Sequence, residues 1–113
     1  MTIGDVIDFV IEHRTNKVFK GYSNYQVAGM IIEGVNERRL YYSESEGKIT
    51  GMILATVDYE KKIVWVEENL SMTLSNLKEF LKKAVVQFHG FQIKGFKCGK
   101  DRDYSKLINR FKY

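Results

Sequence analysis

The sequence predicts an α+β domain with the element order α-α-β-β-β-α-β-α. Three observations carry this. Apolar residues recur at helical spacing over the first third of the chain. Around residue 40 the period shortens to that of strands, in three stretches parted by short turns. Helical spacing returns after Thr73, and no repeat, low-complexity stretch or linker divides the 113 residues. That length suits one compact domain.

The first helix follows Thr2, with Ile3, Val6, Ile7, Val10 and Ile11 on one stripe and an end near His13. Thr2 and Asp5 form a variant of the capping box, whose usual third-position partner is Glu or Gln. Residues 15–21 read as a loop. Ser23 and Gln26 form a second capping box, opening a helix through Val27, Met30, Ile31 and Val35. Gly29 and Gly34 each weaken that helix by up to about 1 kcal/mol relative to alanine, and admit close packing against a sheet.

Residues 40–45 form a short strand with tyrosines at 41 and 42, and Glu46-Gly47-Lys48 makes a tight turn. Residues 49–57 form a second strand, residues 58–61 a turn, and residues 62–67 a third strand holding Ile63, Trp65 and Val66. Short turns make this an antiparallel meander. The run Met52-Ile53-Leu54-Ala55 scarcely alternates, which predicts a central strand covered on both faces.

Thr73 or Ser75 caps a third helix with Leu74, Leu77, Phe80, Leu81, Ala84, Val85 and Phe88 on its stripe. Lys78, Lys82 and Lys83 lie mostly off it. His89-Gly90 ends it, and a fourth strand holds Phe91, Ile93, Gly95 and Phe96. Asp101 or Asp103 caps a last helix carrying Tyr104, Leu107, Ile108 and Phe111.

Composition narrows the function classes. Apolar residues are 44% and charged residues 28%, which argues against a disordered tail. A chain of this size buries roughly 60% or more of its extended surface, enough for a core without staples. The single cysteine, Cys98, forms no internal disulfide, so a disulfide scaffold is excluded and a reducing compartment fits. No apolar run reaches the roughly 20 residues of a membrane span. Two acids in the first eight residues are unlike a secretion signal. The expectation is a cytoplasmic, soluble domain with no membrane contact.

The net charge of +4 is unevenly spread. Residues 1–77 hold eight Lys/Arg and eleven Asp/Glu, whereas residues 78–113 hold ten and three, a surplus of +7. Such a segment attracts phosphate, nucleic acid, coenzyme A or an acidic protein face, although surface lysines also serve solubility.

Several chemistries lack their residues. There is no Gly-x-x-x-x-Gly-Lys-Ser/Thr loop, and no cysteines or histidines are spaced for zinc, so no metal is expected. His13 and His89 sit at helix ends, where His89 suits the helix dipole. Lys97 and Lys100 flank Cys98 and would favour its thiolate, but spacing identifies no base for a nucleophile.

The ordered set of strand, turn and helix from Tyr41 to Phe111 resembles the Gcn5-related N-acetyltransferase superfamily over about two-thirds of the chain. Residues 42–54 (YSESEGKITGMIL) resemble that family's hairpin. Residues 62–68 (KIVWVEE) resemble its following strand. The helix from Thr73 resembles the one that begins at the coenzyme pyrophosphate, and residues 106–112 (KLINRFK) resemble the end of its last helix. The resemblance implies a GNAT-like, mainly antiparallel sheet lacking the usual first strand and C-terminal hairpin. Trimmed domains of this kind are similar to short bacteriophage proteins, some carried in virions. On that comparison the location is host cytoplasm or virion.

Departures from the family pattern shape the functional expectation. Its pyrophosphate loop, Arg/Gln-x-x-Gly-x-Gly/Ala, uses bare backbone N–H groups at a helix N-terminus. This chain has Asn69-Leu70-Ser71-Met72-Thr73-Leu74-Ser75 there, without glycine or arginine. The side chains of Met72 and Leu74 obstruct the approach that glycine permits. Tyr104 also precedes Phe111 by seven residues, where the family has five.

The leading expectation is a noncatalytic interaction protein with no cofactor, meeting a protein partner or a second copy through open sheet edges. The first alternative is an acetyl-CoA-dependent N-acetyltransferase. Ser71, Met72, Thr73 and Leu74 would then hold the coenzyme, Glu67 or Glu68 would take a proton from the amine, and Tyr104 would protonate the leaving thiolate. As plain structure, the two glutamates are a solvated strand end and Tyr104 is a helix anchor. The second alternative is nucleic-acid binding through Lys94, Lys97, Lys100, Arg102, Lys106 and Arg110, with Phe91, Phe96 or Tyr104 stacking on bases.

Overall fold

The computed structural model describes residues 2–15, 18–72, 74–97 and 100–104. Two helices, α1 (Ile3–His13) and α2 (Asn24–Asn36), precede the strands β1 (Leu40–Ser45), β2 (Lys48–Asp58) and β3 (Ile63–Ser71). Helix α3 (Leu74–Gln87) then leads to β4 (Gln92–Lys97) and β5 (Lys100–Asp103). The sheet runs β1-β2-β3-β4-β5. Only the β3–β4 pair is parallel, because α3 carries the chain back across the sheet between them. The architecture is α+β with an open mixed sheet.

Both predicted capping boxes close. Thr2 Oγ1 accepts the Asp5 N–H while the Asp5 carboxylate accepts the Thr2 N–H. Those bonds hold the Asp5 carboxyl below its usual range. Ser23 and Gln26 do the same for α2. Helix α2 ends in a Schellman pattern: the Arg39 N–H reaches the Gly34 carbonyl at 2.7 Å and the Arg38 N–H reaches Val35 at 3.1 Å. Arg38 stands at the left-handed position, φ +57°, which glycine usually fills. Gly34 packs on the sheet as expected, since a β-carbon there would lie 2.5 Å from Leu54 Cδ1. Gly29 is exposed and faces open space.

Strand β2 is central and covered on both faces, as its unalternating run predicts. Met52 and Leu54 pack with Val6, Phe9, Val10, Phe19, Val27 and Ile31 of the α1–α2 layer. Ile53 and Ala55 pack with Leu77, Phe80, Leu81 and Ala84 of α3 and with Val64, Val66 and Ile93. Each fully buried aliphatic side chain contributes about 1.5–3 kcal/mol, and nearly all of the central strand is spent on these two cores.

A bulge in β3 shifts the register. Leu54 pairs with Glu68 and Ala55 with Val66, leaving Glu67 as the extra residue. Val64 and Val66 therefore face α3, while Glu68 and Leu70 face the α1–α2 layer. Glu68 meets the loop between the first two helices, where its carboxylate accepts the Phe19 N–H at 2.8 Å. Arg14 braces the same loop, donating to the Phe19 and Tyr22 carbonyls and to Asn24 Oδ1.

Three expectations are corrected. Strand β3 runs on to Ser71, so Asn69, Leu70 and Ser71 are strand and not loop, held by pairing with Ile53, Met52 and Gly51. Asp101 and Asp103, the candidate caps of a last helix, are strand residues. They lie in β5, which pairs with β4 as an antiparallel hairpin, and Tyr104 follows that strand directly. The last helix predicted over residues 105–111 falls outside the described residues, as does Thr73. Ser75, the other candidate cap of α3, lies inside that helix.

Candidate functional site

The N-terminus of α3 is where the acetyltransferase alternative would seat a coenzyme. Ser43, Gly51 and Ser71 stand in register across β1, β2 and β3 below it. Gly51 leaves a gap over the sheet, and the Asn76 side chain fills it, 3% exposed. Asn76 Nδ2 donates to Ser71 Oγ at 2.7 Å, Ser43 Oγ donates to Asn76 Oδ1, and Ser71 Oγ donates to Asn69 Oδ1 at 2.5 Å. Thr50 completes the cluster through the Ser43 hydroxyl at 2.8 Å. The Met72 N–H is taken by the Thr50 carbonyl, and the Met72 side chain is exposed. The network leaves no buried side-chain polar atom without a partner among the described residues. Of the four predicted coenzyme residues, Ser71 is tied into this network, Met72 projects outward, Leu74 begins α3, and Thr73 lies outside the described residues.

The predicted acid and base residues are dispersed. Glu67, exposed at the bulge, accepts the Thr56 hydroxyl at 2.7 Å. Glu68 is half-buried on the α1–α2 side. Burial pushes its carboxyl above the usual range, the Phe19 N–H opposes that shift, and the charge of Glu67 adds to it. Tyr104 is 5% exposed on the α3 side. Its ring covers Gly95, where a β-carbon would lie 3.0 Å from Tyr104 Cε2 and 3.2 Å from the Val66 carbonyl. The paired stretch of β3 and β4 ends at Val66 and Gly95, so Tyr104 fills the point where these strands part. The sheet separates Tyr104 from Glu68.

The described members of the predicted basic set lie on β4 and β5. Lys94 Nζ lies over the Trp65 ring, 6.0 Å from its centroid, and is paired along the backbone with Asp103. Lys97 pairs with Lys100, and Arg102 with Gly95. Lys106 and Arg110, like Cys98, lie outside the described residues. No cluster of three or more His, Cys, Asp or Glu suited to a metal ion occurs among the described residues. No described helix is long and apolar enough to cross a membrane.

A concavity lies elsewhere among the described residues, at the end of β2 that outruns β1. It is an open groove of about 790 Å³, within the usual size range of ligand sites. Leu40, Ala55, Val57, Val64, Phe80 and Ala84 supply its apolar lining. Tyr59 and Phe88 close one end, edge to face at 6.4 Å. Tyr41 forms a wall, its ring 5.9 Å from Phe80 and 4.9 Å from Lys83 Nζ. Burial raises the pKa of Tyr41, and the charge of Glu79 beside its hydroxyl adds to the rise.

Arg39 organises the opposite rim. It pairs with Glu37 at 2.7 Å and donates to the Ala55 carbonyl and the Thr56 hydroxyl. That pairing lowers the Glu37 pKa. The groove was not foreseen from the sequence. Its signals were the Arg38-Arg39 pair before β1 and the alternation that turns Tyr41 inward, but its walls come from segments around residues 37–41, 55–59 and 80–88 that only folding joins. Comparison with protein families, with curated proteins and with solved structures finds no match to this chain.

Proposed function

We propose that this chain is a noncatalytic interaction protein on an acetyltransferase-like scaffold, binding another polypeptide at the open end of β2. The observation that carries this reading is the groove beside that strand, where backbone edge and apolar lining are both accessible. The filled space at the α3 N-terminus supports it from the other side. Asn76 stands over Gly51 beside the α3 N-terminus, where the acetyltransferase alternative would seat its coenzyme. Glu67, Glu68 and Tyr104 sit in three different surroundings, which does not favour concerted proton transfer between them.

Calorimetric titration with acetyl-CoA, run beside free coenzyme A, tests the reading. The expected result is no binding at millimolar ligand. Micromolar binding overturns it and makes the acetyltransferase alternative the working assignment.

A further inference from the structure

We infer that the β2 groove takes an extended, acidic peptide segment as an added strand, an inference that rests on the interaction reading. Along β2, odd-numbered residues direct their backbone groups toward β1 and even-numbered ones toward β3. The Ala55 N–H meets the Arg39 carbonyl, and the Ala55 carbonyl meets the Arg39 guanidinium. Val57 is the next residue in that alternation. Strand β1 begins at Leu40, opposite Leu54, and the chain before it bends away into the end of α2. The N–H and C=O of Val57 therefore face the groove with no strand beside them, an edge suited to strand addition.

The charges around this edge select the occupant. Both groove carboxylates are engaged, Glu37 by Arg39 and Glu67 by Thr56. Arg38 and Lys83, on the rim, have no carboxylate partner among the described residues. Lys83 stacks on the Tyr41 ring, whose hydroxyl meets Glu79, and makes no direct ion pair among the described residues. A strand lying along Val57 would place alternate side chains toward Phe80 and Ala84 and the others toward the rim. The complementary segment alternates apolar or aromatic residues with Asp or Glu.

Arg38 adds an independent indication. It holds a left-handed backbone conformation that costs a β-carbon residue energy, at a position where glycine would fit. Its side chain lines the groove, where its charge can meet an acidic ligand.

The test is selection of a displayed library of random linear peptides on the intact chain, against an inert control protein, followed by amide shift mapping. Enriched peptides are expected to carry Asp or Glu alternating with apolar residues, to slow exchange of the Val57 amide and to bind more weakly as ionic strength rises. Arg38→Gly and Lys83→Gln are each expected to weaken binding about tenfold, the loss of one charge-assisted contact. Arg38→Gly should do so while unfolding at higher urea, which separates lost binding from lost fold. Enriched peptides without acidic residues overturn the inference and leave the interaction reading standing, whereas shifts away from Val57 overturn both. No enrichment over the control also overturns the inference, whereas failure of the noncatalytic reading shows separately as acetyl-CoA binding.

Discussion

Gly51 and Asn76 compete for one volume: a β-carbon on Gly51 would lie 2.5 Å from Asn76 Cγ, where the carboxamide now bridges Ser43 and Ser71. The backbone of Met72 and side chains from three strands are organised around that amide. Gly51→Ala is expected to destabilise the fold by about 1–3 kcal/mol, the usual cost of overpacking. Adding Asn76→Ala should return part of that loss, read as a coupling energy in urea unfolding. Strict additivity of the two substitutions would show that the amide swings clear.

Gly95 makes the same demand of Tyr104 on the far side of the β3–β4 junction. The neighbours of a β-carbon there are a ring at 3.0 Å and the Val66 carbonyl at 3.2 Å, and the backbone carbonyl has little freedom to yield. Gly95→Ala should cost about 1–3 kcal/mol in urea unfolding and shift the Tyr104 ring resonances. Unchanged resonances would contradict the placement of the ring over Gly95.

Glu68 sets a pH dependence of definite sign. Its native pKa is raised by burial above the unfolded value, so the native state holds the proton more tightly. Its contribution to stability is greatest below the ordinary carboxylate range and is lost as pH rises through the raised native value. Asp5 and Glu37 are lowered and act in the opposite sense, stabilising above the ordinary range and losing that contribution on acidification. Glu68→Gln keeps an acceptor for the Phe19 N–H without the charge. The variant should match or exceed the parent at neutral pH, and the difference between them should shrink or reverse toward acid. Parallel stability-versus-pH curves for the two proteins would rule this out.

Arg38→Gly relieves the left-handed position that closes α2. The expected gain is about 1 kcal/mol, seen as a higher urea midpoint. A loss would mean that the Arg38 side chain makes contacts worth more than the backbone strain.

Much of the fold was legible because its determinants are local or periodic. Thr2 with Asp5 and Ser23 with Gln26 cap helices through bonds spanning three residues. The central place of Met52–Ala55 follows from apolar side chains on both faces. The bulge at Glu67 was not legible, since it exists only against Leu54 and Ala55 on another strand. Asp101 and Asp103 look like caps in isolation, yet backbone pairing with Phe96 and Lys94 draws them into the sheet. The groove was hidden for the same reason, as no local pattern brings Arg39, Val57 and Lys83 together.

The sheet divides the apolar interior into two compartments that share no buried side chain. Val10 answers to one and Leu81 to the other, with the central strands between them. Thermodynamically the compartments are near-independent accounts: truncating both residues should cost the sum of the single losses to within about 0.5 kcal/mol. Substitution at Val10 can therefore proceed without repacking the Ile53–Leu81 layer that forms the α3 wall of the groove.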